Sequence, residues 1–257
     1  MPDKRHTSLF LWRAGALVIG PAIDSRLHSH HALQLSFGLD RSFRVRFSAD
    51  EKWSETRAAL LSPSQPHQID GGGMLAHLFL ELPQRKGTIA SKLHADFSSD
   101  ARFAEVQNFL QLASEIPGTG VDIEPATAAA RQWRACALGE QQLASYDARI
   151  RLALDAIAAQ PGSAVTGSHL ARLCHLSESR FTHLFCQQTG MPLSRYQLWT
   201  KLLSAIDTVA GGGNMTDAAH EAGFSDLAHM SRTFSRTFGV VPSELQKMTI
   251  AFKRENL

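Results

Sequence analysis

Four side chains could carry chemistry at one place: His28, His30, Gln34 and, further along, His67. They fall as His28-x-His30-x-x-x-Gln34 and then Pro63-x-x-x-His67. A neutral imidazole offers one N–H and one nitrogen lone pair, so it can hydrogen-bond a polar ligand or hold a metal. Glutamine is a poor transition-metal ligand beside a carboxylate. Three readings of this histidine face stay open. Our expectation is the polar wall of a small-molecule effector pocket (His28, His30, Gln34, His67) without metal or other cofactor. The alternatives are a solvated, hydrogen-bonded face and a metal site of His28, His30 and His67. Even a bound metal would not imply an open catalytic position. By residue type His77, Glu81, Trp12 and Trp53 are candidate neighbours.

The elements that must position these residues read as β-strands. Between residues 8 and 95 the runs LFLWRAGALVIG, HALQLSFGLD, SFRVRFSA, TRAALLSP and MLAHLFLEL are short and apolar or alternating. Pro21, Asp40-Arg41, Pro63 and Gly71-Gly72-Gly73 divide them, as in an antiparallel sandwich or barrel. At period 2, Leu33, Leu35 and Phe37 point one way and His28, His30, Ala32, Gln34 and Ser36 the other, with His31 interrupting the apolar face. The histidine spacing is similar to the cupin signature, in which two histidines, an acid and a later histidine bind metal. Gln34 stands where that signature has Glu.

From Asp100 the period changes. Phe103, Val106, Phe109 and Leu110 share one helical face, with Ser99 or Asp100 as cap and Ile116–Gly120 as the stop. A second helix is expected from about Pro125 to Ala144. On the residues alone the pair merely packs on the barrel.

The last hundred residues contain one pattern twice: SHLARLCHLSESRFTHLFCQQTG from Ser168 and TDAAHEAGFSDLAHMSRTFSRTFG from Thr216. Leu170, Ala171 and Cys174 match Ala218, Ala219 and Ala222. After one extra residue, Phe185 and Gly190 match Phe234 and Gly239. Each copy parses as helix, tight turn and helix. Ser177 is the N-cap of the first second helix and Gly190 its stop, while Gly223 serves the turn of the other copy. Met230, Phe234 and Phe238 should bury the last helix. MPLSRYQLWTKLLSAIDTVAGGG between the copies reads as one long helix ended by Gly211–Gly213. After Pro242 a short helix SELQKM is expected, then a frayed tail AFKRENL.

The stretches LARLCHLSESRFTHLFCQQTGMPLSRYQ and DAAHEAGFSDLAHMSRTFSRTFGVVPSEL resemble the DNA-binding domain of the AraC/XylS family of bacterial transcription regulators. Many of its members carry a cupin-like sensor at the N-terminus. For the two helices after Asp100 the resemblance implies a dimerising connector. Position by position, the resemblance implies DNA contacts from Ser179, Arg180, Thr182 and His183 on the first reading helix. On the second it implies Leu227, Ala228, His229, Arg232 and Arg236. Arg can bond guanine bidentately, and Ser or Thr suits methyl and hydroxyl contacts. Leu227 and Ala228 depart from the polar residues often found at their positions.

The chain has 257 residues, 44% hydrophobic and 19% charged, which supports real cores and excludes wholesale disorder. Residues 147–257 hold 11 Lys+Arg against 9 Asp+Glu, so charge alone does not announce a DNA binder. No run has the features of a signal peptide or the length of a membrane span, and Cys136, Cys174 and Cys186 lack zinc-ligand spacing. The expected fold class is α+β in two domains: a cupin-like β-barrel (1–98), a helical connector (99–145) and an all-α double helix-turn-helix (146–250). The resemblance implies a cytoplasmic, bacterial, sequence-specific transcription regulator and not an enzyme. Its expected partners are double-stranded DNA, a small-molecule effector, a second copy as homodimer and RNA polymerase, with no membrane. The alternatives are a metal-dependent cupin enzyme with a DNA-binding tail, or a helical partner-binding protein that no longer reads DNA.

Overall fold

The computed structural model describes residues 7–12, 15–22, 25–30, 32–81, 91–93, 95–115, 122–139, 146–160, 162–163, 165–238 and 241–253. It divides into two compact units, taken here separately. One comprises Met1–Glu81, Ile89–Gln142 and Ser235–Leu257; the other comprises Leu82–Thr88 and Leu143–Phe234.

In the first unit the run from Leu9 to Gly20 is two antiparallel strands, β1 (Thr7–Trp12) and β2 (Gly15–Pro21). They are followed by β3 (Leu33–Gly38), β4 (Phe43–Arg46), β5 (Ser54–Thr56), β6 (Ala58–Leu61), β7 (Gln68–Asp70), β8 (Met74–Leu80) and β9 (Lys92–Leu93). The last strand, β10 (Met248–Lys253), comes from the far end of the chain. Among the described residues these strands make a seven-stranded sheet, ordered β10-β1-β2-β8-β3-β6-β9, and a three-stranded sheet, β5-β4-β7. They do not make one closed barrel, which corrects the expectation of a barrel proper.

Period-2 alternation sorts the large sheet as its apolar pattern requires. Phe37 meets Phe103 of helix α1 (Phe103–Glu115) at 5.0 Å, and Phe10 meets Phe109 at 6.2 Å. Trp12 Nε1 donates to Thr127 Oγ1 of helix α2 (Ile123–Leu138) at 2.9 Å. Both helices therefore pack on the sheet. The apolar side of β3 faces them, leaving Gln34 and Ser36 on the opposite side. Phe43, Val45, Ile69, Leu75, Ala59 and Leu61 form a further core drawn from both sheets. The Asp100 carboxylate accepts from the Arg102 amide and starts α1. Helix α2 begins at Ile123, capped by Asp122, and ends at Leu138 rather than near Ala144, because Gly139 takes φ 74°. Residues 116–121 and 140–145 lie outside the described residues.

Met248–Lys253 is not a frayed tail. It pairs in parallel with β1, Thr7 opposite Met248 and Trp12 opposite Lys253. MTIAFK alternates apolar and other residues at period 2, and its ladder satisfies one edge of β1.

The second unit is helical: α3 (Ala148–Ala159), α4 (Gly167–Leu173), α5 (Glu178–Thr189), α6 (Leu193–Ala210), α7 (Met215–Glu221) and α8 (Leu227–Phe238) as far as Phe234. Side-chain caps start several of them: Asp147 for α3, Thr166 for α4, Ser177 for α5 and Asn214 for α7. Gly190 ends α5 in the left-handed region at φ 75°. Ile150, Ala153, Leu154 and Ile157 of α3 pack on Leu170, Ala171, Phe181, Phe185 and Tyr196. Phe185 meets Phe181 and Tyr196 at 5.6 Å each.

Candidate nucleic-acid interface and histidine cluster

The two copies fold as helix–turn–helix twice, with α4 and α5 in one and α7 and α8 in the other. Their turns match in backbone as well as in sequence. His175 has φ 53° and Gly223 φ 74°, so the same position is left-handed in both modules. The caps of the second helices differ. Ser177 caps α5 through the Arg180 amide, but Asp226, one residue beyond the matching Ser225, accepts from the His229 amide at 2.6 Å to start α8. The extra residue of the second copy is absorbed there.

Each second helix buries one side. Phe181, Phe185 and Thr189 are buried on α5; Met230, Thr233 and Phe234 on α8. Phe238, expected in the core, is only half-buried, and Thr233 is buried in addition to Met230 and Phe234. All nine candidate readers, Ser179, Arg180, Thr182, His183, Leu227, Ala228, His229, Arg232 and Arg236, are exposed.

Local bonds distinguish these nine. Thr182 donates its hydroxyl to the Glu178 carbonyl at 2.9 Å, leaving its methyl and lone pairs outward. His229 packs edge-on against Phe224 at 5.4 Å and its Nδ1 lies 3.2 Å from Ser225 Oγ, so its ring is held by its own turn. The Asp226 carboxyl is pulled below the usual carboxylate range, first by the His229 amide, then by the Ser225 hydroxyl, with a smaller pull from Arg232. Among the described residues Arg180, Arg232 and Arg236 form no ion pair. Their charge is available to phosphate or base.

In the first unit the histidines come together, but not by strand alternation. β3 starts at Leu33, and His28 instead forms an isolated antiparallel bridge with His67. Each backbone N–H of that pair donates to the other's carbonyl, at 3.0 and 2.8 Å. The rings of His28 and His67 are 4.5 Å apart, those of His30 and His67 5.0 Å, and those of His28 and His30 5.7 Å. His30 Nε2 lies 2.8 Å from Gln34 Oε1. Ser36 Oγ is 2.9 Å from Gln34 Nε2 and 2.9 Å from His77 Nδ1. The expected group therefore meets as one cluster, with Ser36 and His77 added; Ser36 lies on the face that period 2 assigned it. His31 lies outside the described residues. Trp12 is buried against α2, and Trp53 lies under Arg46, its ring centroid 4.6 Å from the guanidinium. Neither tryptophan joins the cluster.

Burial dominates the electrostatics. It lowers the His67 pKa to about 4, helped by the charge of His28 and opposed by the hydrogen bond to the Gln65 carbonyl. His77 also falls to about 4 through burial, then through His67 and His28. His28 is lowered by burial against its bond to the Arg26 carbonyl. These three rings are neutral at neutral pH, with lone pairs to offer.

The second unit is thus a double helix-turn-helix domain. A family model described as a helix-turn-helix domain matches residues 170–248. The transcriptional activator RhrA of Rhizobium meliloti is 34% identical over 70 residues, 26% of this chain and 22% of that protein. The HTH-type transcriptional activator RhaR of Yersinia pseudotuberculosis is 33% identical over 85 residues, 32% of this chain and 29% of that one. The matches span less than a third of either relative. Over 92% of this chain the fold is similar to ToxT from Vibrio cholerae, at 9% identity and TM-score 0.57, covering 99% of that chain. A ToxT structure with bound unsaturated fatty acid gives TM-score 0.59 at 9% identity, over 92% of this chain and 96% of that one. The C-terminal helices are therefore similar to the helix-turn-helix regions of these activators. Among the described residues no helix is long and apolar enough to cross a membrane.

Proposed function

We propose that this protein is a transcription regulator that reads double-stranded DNA with α5 and α8 and responds to an effector held by its N-terminal unit. One observation carries the reading: two modules of equivalent backbone each bury a phenylalanine-bearing side of the second helix and expose a polar side. A recognition helix needs that division, with a rigid inner face and a free outer one. Arg180, Arg232 and Arg236 supply cationic donors, and Ser179, Thr182 and His183 supply groups suited to base edges or phosphates. His229, held by Ser225 and Phe224, positions the α8 N-terminus. Leu227 and Ala228 offer apolar contact to thymine methyl groups.

The functional division we propose is a sensor over 1–98, helices 99–145 that pack on the sensor and also serve a homodimer, and a reader over 146–250, of which Met248 onwards returns to the sensor's sheet as β10. RhrA and RhaR are named as transcriptional activators, which supports regulation rather than catalysis and brings RNA polymerase in as a partner. The fatty acid bound to ToxT, whose fold this chain shares, supports a small effector; here we place it at the buried histidine cluster. Footprinting of the full chain on DNA upstream of its own coding sequence tests the reading. Protection of two segments about one helical turn apart is expected. No protection at any sequence, from folded protein, would refute it.

A further inference from the structure

We propose that His28, His30 and His67 bind a divalent late first-row transition-metal ion through their Nε2 atoms, and that this ion is the effector of the regulator. The second half rests on the regulator reading; the first does not.

The hydrogen bonds assign the tautomers. His28 Nδ1 is 2.8 Å from the Arg26 carbonyl, His30 Nδ1 3.0 Å from that of Ala32 and His67 Nδ1 2.9 Å from that of Gln65. A carbonyl only accepts, so in neutral His28 and His67 Nδ1 carries the proton and Nε2 keeps the lone pair. His30 meets an oxygen at each ring nitrogen, and a neutral ring can donate to only one of them. Metal-binding histidines are held the same way, one ring nitrogen donating to the protein and the other facing the ion. The ligand atoms of the three rings lie within 4.8 Å of one another. Three nitrogens about 2.0–2.1 Å from one tetrahedral ion stand roughly 3.4 Å apart, so ring rotations of about an ångström suffice.

Two features of the cluster are otherwise left unexplained. His67 Nε2 is fully buried and has no hydrogen-bond partner among the described residues, a costly position for an acceptor. Neutral His30 has one proton for two facing oxygens, so one of its ring lone pairs is set acceptor against acceptor. It stands against Gln34 Oε1 at 2.8 Å when the proton sits on Nδ1 as in the other two rings. A cation shared by these atoms satisfies both and makes Gln34 a fourth donor. Turning the Gln34 amide over would let it donate to His30, but would leave His67 as it is. The reciprocal backbone bonds of His28 and His67 fix two ligands before any ion arrives. Half-buried His28 marks the solvent side. Three imidazoles and an amide oxygen suit zinc, cobalt, nickel or copper, and not magnesium or calcium.

The test uses the full chain, freed of metal with chelator. Co(II) should give a visible ligand-field band saturating at one ion per chain, displaced by Zn(II) and indifferent to Mg(II). His28→Gln, at a half-buried position, and His67→Ala should each weaken Co(II) binding about tenfold or more while circular dichroism reports a folded chain. Zn(II) should change affinity for the footprinted DNA by about fivefold or more in the wild type and not in His28→Gln. A folded wild type without the Co(II) band, or variants that bind as tightly, would overturn the site. A Co(II) band with unchanged DNA affinity would overturn the effector half. DNA binding absent with and without metal would defeat the regulator reading, leaving the band to decide the site.

Discussion

Exchanging the left-handed residues of the two turns should move stability in opposite directions. His175 pays for its φ of 53°, since an L residue there costs about 1–2 kcal/mol. Glycine removes that cost but adds about 0.4–1 kcal/mol of unfolded-chain freedom. His175→Gly should therefore stabilise by about 0.5 kcal/mol. Gly223→Ala loses about the same amount at φ 74° and meets a further obstacle. A Cβ at Gly223 would overlap the carbonyl oxygen of Gly162, and a Cβ at Gly162 would press on the Glu221 carbonyl. Both neighbours are backbone, so no side chain can rotate clear, and overpacking of this kind adds about 1–3 kcal/mol. The total loss for Gly223→Ala is about 2–3 kcal/mol. Urea unfolding followed by far-ultraviolet circular dichroism measures both variants, with the transition midpoint as readout provided the slope is unchanged. A neutral Gly223→Ala, or a destabilised His175→Gly, would refute equivalent turns.

Three further outcomes follow from the same geometry. Phe185→Ala and Phe234→Ala should each cost about 3–5 kcal/mol in urea, because both rings are buried at matching core positions; a loss under about 1 kcal/mol in either would mean the modules are not equivalent. Asp226→Ala should destabilise by about 1 kcal/mol while Ser225→Ala costs less, since Asp226 caps α8; the reverse order would contradict the assigned cap. In chelator, His67 gives a pH dependence with a definite sign. Its folded pKa of about 4 lies below the ordinary 6.5, so protonation favours unfolding, and up to about 3 kcal/mol present above pH 6.5 should drain away as pH falls towards 4. Thermal melts should show that loss flattened in His67→Gln; an unchanged profile would remove His67 as its source.

The helical unit was the more legible part of the sequence because its determinants are local. Ser177, Gly190 and the spacing of Phe181 and Phe185 act within one or two turns of chain, and each does what its type and position require. The Asp226 cap is not legible in the repeat, because Ser225 aligns with Ser177 while the inserted residue moves the helix start by one. In the sheets, period 2 placed Leu33, Leu35 and Phe37 opposite Gln34 and Ser36, but could not show that the strand stops short of His28. The His28–His67 bridge joins residues 39 apart, and spacing within either segment does not encode it. β10 was missed for a related reason. MTIAFK carries a strand's alternation, yet its partner lies at the opposite end of the chain, and a six-residue strand is stable only once paired.

The double reader is tested most directly by DNA affinity of folded Arg232→Ala and His183→Ala proteins, measured on the footprinted site, on single-base variants of it and across salt. Both side chains are exposed, so thermal stability should stay nearly unchanged. If either reads a base, about 1–3 kcal/mol of discrimination should vanish at one base pair, the two positions lying roughly one helical turn apart. If Arg232 holds phosphate, affinity should fall evenly across sequences and the salt dependence flatten by about one unit. Wild-type affinity and specificity in both variants would contradict reading by α5 and α8.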